Sequence, residues 1–219
     1  MELRKTITLD MNVSSVQHLL QKDKRLSKVI SIIGPITYEI KPSSEGFSFL
    51  VHEIIEQMMS IKSGNAIYNR LEILCKGSIN PNAILRLTNE EIRSIGTSNA
   101  KVSYIRCLAD AVIAGTLNLN ELESMNNEEV ITKLTSIRGI GNWTAKMYLL
   151  FVLNRQDILP YEDGAFKQSF RWLYKTDDVS MKSIISKCKK WSPYSSIAAR
   201  FMYLALDSNL TKDEFDFII

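Results

Sequence analysis

Residues 134–145, Leu-Thr-Ser-Ile-Arg-Gly-Ile-Gly-Asn-Trp-Thr-Ala, are the stretch whose types and spacing most directly invite chemistry. Gly139 and Gly141 flank one apolar residue between two helical patterns, so the backbone can turn sharply, sink Ile140 as an anchor and expose N–H groups where the next helix begins. Such a corner can hold a phosphate at the positive end of a helix dipole. Carbonyls on the incoming side, those of Thr135, Ile137 and Ile140, could bind a monovalent cation, Na+ or K+, that bridges to the same phosphate oxygen. A glycine-rich connection that only packs two helices together has the same spelling. Further on, Asp163 stands at the start of another helical pattern, four residues before Lys167. An aspartate there can be an ordinary N-cap. A fixed carboxylate can also stabilise developing positive charge and orient an attacking water. Its neighbour Glu162 reads as a solvated side chain.

Other chemistries find little support. The two histidines, His18 and His52, show no HExxH or paired spacing, which argues against a catalytic transition metal. Cys75, Cys107 and Cys188 are scattered without a CxxC pair, so neither a structural zinc nor an iron–sulfur cluster is expected, and the thiols read as reduced and mostly buried. The net charge of +3 is compatible with a polyanionic partner without requiring one. The longest apolar run, residues 147–153, is far shorter than the roughly 20 residues that span a bilayer, and no signal pattern opens the chain. An intracellular protein with no membrane partner is expected, at the nucleoid of a prokaryote or in the nucleus of a eukaryote.

The elements that would position these residues are helices. Only 9 glycines and 5 prolines punctuate 219 residues, and 45% of them are hydrophobic. Residues 4–10 alternate weakly and suggest a short extended arm. Apolar spacing then predicts helices around Val16–Leu20 and Leu26–Ile33, stopped by Gly34-Pro35. A helix from Phe47 to about Met58 follows, with a break near residues 59–64 and another helix to Gly77. Thr88 and Glu91 form a possible capping box, and Ser98 opens a longer helix to Gly115. Asn127 and Asn142 are expected caps on either side of the hairpin, the second for a helix from Trp143 to about Asn154. Helices after Asp163, Ser180, Ser192-Pro193 and Thr211 complete about ten. With no linker-like stretch, two lobes would have to be interleaved: about 1–40 with 155–219, and about 41–154.

At this point the residues reach a resemblance. Gly-Ile-Gly-Asn-Trp-Thr-Ala, then residues 157–160, Asp-Ile-Leu-Pro, then Asp163 and Lys167-Gln168, are similar to the hairpin, Gly/Pro-rich loop and aspartate signature of the helix-hairpin-helix (HhH-GPD) DNA glycosylases. Within them the chain most resembles the 3-methyladenine DNA glycosylase II-like branch, the bacterial alkylation-repair type. Residues 50–60, 96–101 (Gly-Thr-Ser-Asn-Ala-Lys) and 191–194 (Trp-Ser-Pro-Tyr) are similar to further segments of that family, so the likeness runs in order over roughly 15–210. It implies an all-α fold of two interleaved lobes with an active-site cleft between them.

The resemblance also implies an activity: a monofunctional DNA glycosylase that flips an alkylated purine from double-stranded DNA and hydrolyses its N-glycosidic bond, leaving an abasic site for base excision repair. Asp163 would be the catalytic carboxylate. Relatives that also cut the strand carry a Schiff-base lysine where this chain has Trp143. Lys146, one turn on, reads as a phosphate contact or a solvated charge before a nucleophile. Trp143 and Tyr203 would stack a cationic base, although Tyr203 equally fits a core position. Gly139, Ile140, Gly141, Asn142, Thr144, Lys146 and Lys101 would contact DNA, and Gln57-Met58 stands where the family carries its wedge; a methionine at a helix end also fits core packing. Two positions depart from the pattern: Met58 replaces a second glutamine and Ser195 an arginine, which bears on substrate range and DNA contacts. The chain lacks room for the N-terminal sheet domain of some larger relatives. No cofactor is required by this reading, and a monomer is expected. A non-catalytic hairpin DNA-binding protein, a glycosylase for another base lesion, and an all-α interaction protein are the alternatives.

Overall fold

The structure is a computed structural model in which residues 5–214 are described. By internal contacts the chain divides into two compact units, residues 41–153 and residues 4–40 with 154–219.

The discontinuous unit opens with a strand, β1 (Lys5–Leu9), followed by helices α1 (Ser14–Lys22) and α2 (Lys24–Ile33). A second strand, β2 (Ile36–Ile40), pairs antiparallel with β1, Leu9 opposite Ile36 and Lys5 opposite Ile40. The all-α expectation stands with this small ribbon added: residues 4–10 were expected as a short extended arm, and residues 36–40 had no assignment; Arg4 lies outside the described residues. The remainder comes from α10 (Gly164–Tyr174), α11 (Met181–Cys188) and α12 (Ser195–Asp207). A turn of 3-10 helix, Leu210–Lys212, stands where a last helix after Thr211 was expected, and the rest of that segment lies outside the described residues. The core is aromatic: Phe166, Phe170, Phe201 and Trp191 are all fully buried, Phe166 meeting Trp191 edge-on at 6.2 Å. Burial of each such side chain stabilises by about 1.5–3 kcal/mol.

The continuous unit runs from α3 (Gly46–Glu56) through α4 (Ile61–Leu74), α5 (Pro81–Arg86), α6 (Asn89–Ser94), α7 (Asn99–Ile113) and α8 (Asn127–Thr135) to α9 (Asn142–Phe151). Helix α3 is apolar nearly all round, and Leu50, Val51, Ile54 and Ile55 are fully buried, so α4, α7 and α9 can each pack against a different side of it. Its approach to α9 is close: a Cβ on Gly46 would lie 2.6 Å from the Tyr148 hydroxyl.

Local chemistry sets the boundaries. Thr88 and Glu91 make the expected capping box on α6, with both reciprocal bonds present. Asn126 caps α8 in the same way, one residue before the expected Asn127. Gly141 occupies the cap position of α9 and Asn142 is the first helical residue. Helix α4 starts at Ile61, capped by Ser60, so the expected break over 59–64 shrinks to residues 57–60. Gly64 suggested a break, yet it sits inside α4 because Glu56 packs where its Cβ would stand, 2.6 Å away. Helix α5, begun by the Asn80 cap and Pro81, had no counterpart among the expected elements.

Candidate active site

The hairpin between α8 and α9 is braced from two sides within its own unit. Gly139 has φ +97, a conformation L side chains rarely adopt, and a Cβ there would strike the Tyr104 ring at 2.2 Å. Tyr104 lies on α7, and the Arg138 guanidinium sits over its other reaches at 5.8 Å. The Gly139 carbonyl accepts a hydrogen bond from Gln57 Nε2 at 2.9 Å. Ile140 is buried, and its N–H donates to the Ile137 carbonyl at 3.0 Å, which closes the turn. Gly141 is different: its backbone is extended, it is exposed, and nothing lies within 4 Å of where a Cβ would stand. The first turn of α9 therefore meets open space at the corner where its N–H groups point outward.

Several predicted contact residues are spent inside the protein. Thr144 and Lys146 are buried, Lys146 at only 9% exposure, because α9 is buried continuously from Thr144 to Leu150. Lys146 is thus not the solvated charge that was one of its expected roles. Lys101 donates its ammonium to the carbonyls of Ile55 and Gln57, both at 2.7 Å, and burial lowers its pKa from the ordinary lysine value. Gln57 uses its side-chain amide on Gly139. Met58, by contrast, is fully exposed at 104% and has a left-handed backbone, φ 58, so core packing does not hold it. Asn142 is exposed and Trp143 half-buried.

In the discontinuous unit, Asp163 is the N-cap of α10, in extended backbone, its Oδ1 accepting the Phe166 N–H at 2.7 Å. It is half-buried. The loop that delivers it is pinned by the segment around Trp191. Asp157 accepts the Ser192 hydroxyl at 2.5 Å and the Ser195 N–H at 3.2 Å. The Ile158 N–H donates to Ser196 Oγ at 2.9 Å, and the Ser196 N–H to the Gln156 carbonyl at 3.0 Å. Two segments that the sequence presents as separate motifs, residues 157–160 and 191–194, are thereby one construction. Ser195, where the family pattern has arginine, contributes its backbone here. Tyr203 is half-buried on α12, one turn from Arg200.

Sequence reasoning missed Arg200, Tyr38 and Tyr104. Arg200 is buried and lies 3.8 Å from the centre of the Tyr38 ring, whose hydroxyl donates to Asn154 Oδ1 at 3.3 Å. An arginine between apolar residues of a helix was the one available signal. Tyr104 announces itself only through Gly139, to which no sequence spacing connects it. Among the described residues one further group, His52, Glu53 and Glu56 on α3, brings possible ligand atoms within 4.8 Å. His52 Nε2 is bonded to Asn65 Oδ1 at 2.9 Å, so this group ties α3 to α4.

Comparison with known proteins places this arrangement. A model of the HhH-GPD superfamily base excision DNA repair proteins matches residues 51–193. DNA-3-methyladenine glycosylase 1 of Schizosaccharomyces pombe is 29% identical over 85% of this chain and 84% of its own. The crystal structure of a DNA-3-methyladenine glycosidase from Bacillus halodurans superposes with a TM-score of 0.82 at 33% identity, covering 95% of this chain and 96% of that one. The Schizosaccharomyces pombe 3-methyladenine DNA glycosylase in complex with abasic DNA superposes with a TM-score of 0.78 at 27% identity, covering 89% and 97%. With a glycine-cornered hairpin, an aspartate-capped helix behind a pinned loop, and a family match over well more than half its length, the chain belongs to the HhH-GPD superfamily of base excision DNA repair proteins.

Proposed function

We propose that the protein is a monofunctional DNA glycosylase that excises alkylated purines such as 3-methyladenine from duplex DNA. The observation that carries this reading is the extent of the likeness. At 33% identity and a TM-score of 0.82, 95% of this chain and 96% of the chain of a DNA-3-methyladenine glycosidase superpose.

In this reading water attacks C1′ of the damaged nucleotide as the N-glycosidic bond breaks; the bonding electrons leave with the base, and the water's proton passes to solvent or to the carboxylate. Asp163 stabilises the positive charge that develops on the sugar and orients the water. A base already made cationic by alkylation leaves readily, so little general acid help is needed. Trp143 and Tyr203 supply aromatic faces for the cationic base. With Trp143 in place of a Schiff-base lysine, the strand stays intact and an abasic site is the product.

The hairpin grips the backbone through the open first turn of α9, where Gly141 and Asn142 leave the N–H groups unobstructed. The carbonyls of Thr135, Ile137 and Ile140 would hold Na+ or K+. They fit such a cation as uncharged oxygen donors at the negative end of α8 and in the turn after it, where the Ile137 carbonyl also accepts the Ile140 N–H. The ion would supply a positive charge for the same phosphate. Met58 is the wedge that fills the space of the extruded base, which its full exposure and apolar, flexible side chain support. The protein acts as a monomer wherever the cell keeps its chromosome.

The test is chemical. Duplex DNA treated with a methylating agent is incubated with the protein and the released bases are separated by chromatography. Free alkylated purines with strands that break only after alkali are expected. Absence of any released base defeats the glycosylase reading, and scission without alkali defeats the monofunctional one.

A further inference from the structure

Three groups around residues 55–61 of the continuous unit have no role in the reading so far. Lys101 was expected on DNA and instead faces backbone; Gln57 faces the hairpin; Tyr104 blocks Gly139. Lys101 and Gln57 meet at the end of α3, and Tyr104, one turn from Lys101 on α7, meets the hairpin that Gln57 also bonds.

The end of a helix leaves carbonyls without partners and a negative dipole pole, and a cation placed there satisfies both. Lys101 does this for Ile55 and Gln57, the last turn of α3 and its cap. Immediately beyond, Met58 adopts φ 58, which a methionine does not take up unless its surroundings hold it there. No side-chain packing can do the holding, since Met58 is wholly in solvent and Ile61, three residues on, is 67% exposed. The holding falls to the backbone on either side. Gln57 is fixed at its carbonyl by Lys101 and at its amide by Gly139, the Met59 N–H donates to the Glu56 carbonyl at 2.9 Å, and Ser60 caps α4. On the same face of α7, Tyr104 supports the hairpin at Gly139.

We infer that Lys101 is a positioning residue: with Gln57 it locks the end of α3 so that Met58 is presented outward in register with the phosphate-gripping hairpin, and it makes no DNA contact of its own. The partial loss of its hydration, seen in its lowered pKa, fits an ammonium committed to carbonyls. The inference rests on Met58 being the wedge, and the two can fail separately.

Single-turnover excision from methylated duplex is measured for the wild type, Met58→Ala, Lys101→Met, Lys101→Arg and the Met58→Ala/Lys101→Met double variant, with DNA affinity over a salt series and thermal melting for each. Lys101→Met is expected to slow excision at saturating protein as Met58→Ala does, by roughly ten- to hundredfold, the loss that misplacement of an essential group brings. The double variant falls no further than the worse single one, Lys101→Arg restores most of the rate, and the salt dependence of binding stays that of the wild type. A lysine on phosphate behaves otherwise: the salt slope drops by about one and excision at saturation is kept. That result overturns the inference, as do additive losses in the double variant. If Lys101→Met does not fold, Gln57→Leu decides, since it removes only the bond to Gly139: slowed excision at an unchanged melting temperature supports the lock, and wild-type excision overturns it. Should Met58→Ala excise as the wild type does, the wedge reading falls and the inference with it; impaired Met58→Ala beside unimpaired Lys101→Met removes the inference alone.

Discussion

Asp23 and Asp163 stand in the same unit, each in extended backbone just before a helix, and each accepts through Oδ1 the N–H three residues on, Leu26 at 3.3 Å and Phe166 at 2.7 Å. Beyond the cap they part. The second oxygen of Asp23 is taken by the Tyr174 hydroxyl at 2.5 Å, the Trp191 indole N–H at 2.8 Å and the Lys190 ammonium at 3.1 Å, and the residue is 1% exposed. Asp163 stays half-buried, followed by an exposed Gly164 with nothing within 4 Å of where a Cβ would stand. The same residue in the same local role therefore becomes a structural node where aromatic donors from α10 and the segment after α11 close over it, and keeps a half-buried carboxylate, the proposed chemical group, where the helix start is less covered.

Four measurements press on that contrast, the largest effect first. Asp163→Asn should lose excision by roughly 10³-fold or more, the scale on which a preorganised electrostatic group acts. Its melting temperature should barely change, because asparagine caps a helix as well as aspartate does. Equal loss of both would make Asp163 a structural residue after all. Asp23→Ala should cost about 3 kcal/mol in denaturant unfolding, since it strands several buried donors and a half-exposed ammonium; excision per folded molecule should survive. Asp163→Ala, judged on stability alone, should cost about 1 kcal/mol, the price of an N-cap.

The smallest effect is a pH dependence. Burial alone would raise the Asp23 carboxyl, but the hydrogen bonds from Tyr174, Trp191 and Lys190 and the charge of Lys190 outweigh it and hold the group below its ordinary value. A carboxylate depressed on folding contributes stability that is complete above its unfolded value, about 3.9, and fades as pH falls through the folded one. The stability gap between the wild type and Asp23→Ala should therefore be constant near neutrality and narrow below about pH 4. A gap that stays constant through that range would deny Asp23 its titrating role.

How much of this could be read beforehand depended on the distance over which each residue acts. The capping box of Thr88 and Glu91 and the hairpin glycines are local devices, and the sequence carries them whole. Asp163 was legible as a cap from spacing, which the structure bears out, and its proposed catalytic role came only through resemblance. The strand at 36–40 was not legible, because five residues gain strand character from a partner strand, residues 5–9, far earlier in the chain. Lys101 was expected on DNA through the resemblance, and its bonds to backbone carbonyls 44 and 46 residues away are ones that no side-chain pattern encodes. Met58 was left between wedge and core packing, and the left-handed backbone with full exposure removes the core alternative. Asp157 and Ser196 belong with Lys101, as polar residues whose partners lie 35 or more positions away.

The complete exposure of Met58 has a redox consequence. A thioether standing wholly in water is open to peroxide, whereas Met147 and Met202 are shielded by the core. Oxidation to the sulfoxide would turn a greasy tip into a polar, chiral one at the side chain proposed as the wedge. Peroxide can thus change the character of this one exposed side chain while leaving the packed core around it intact.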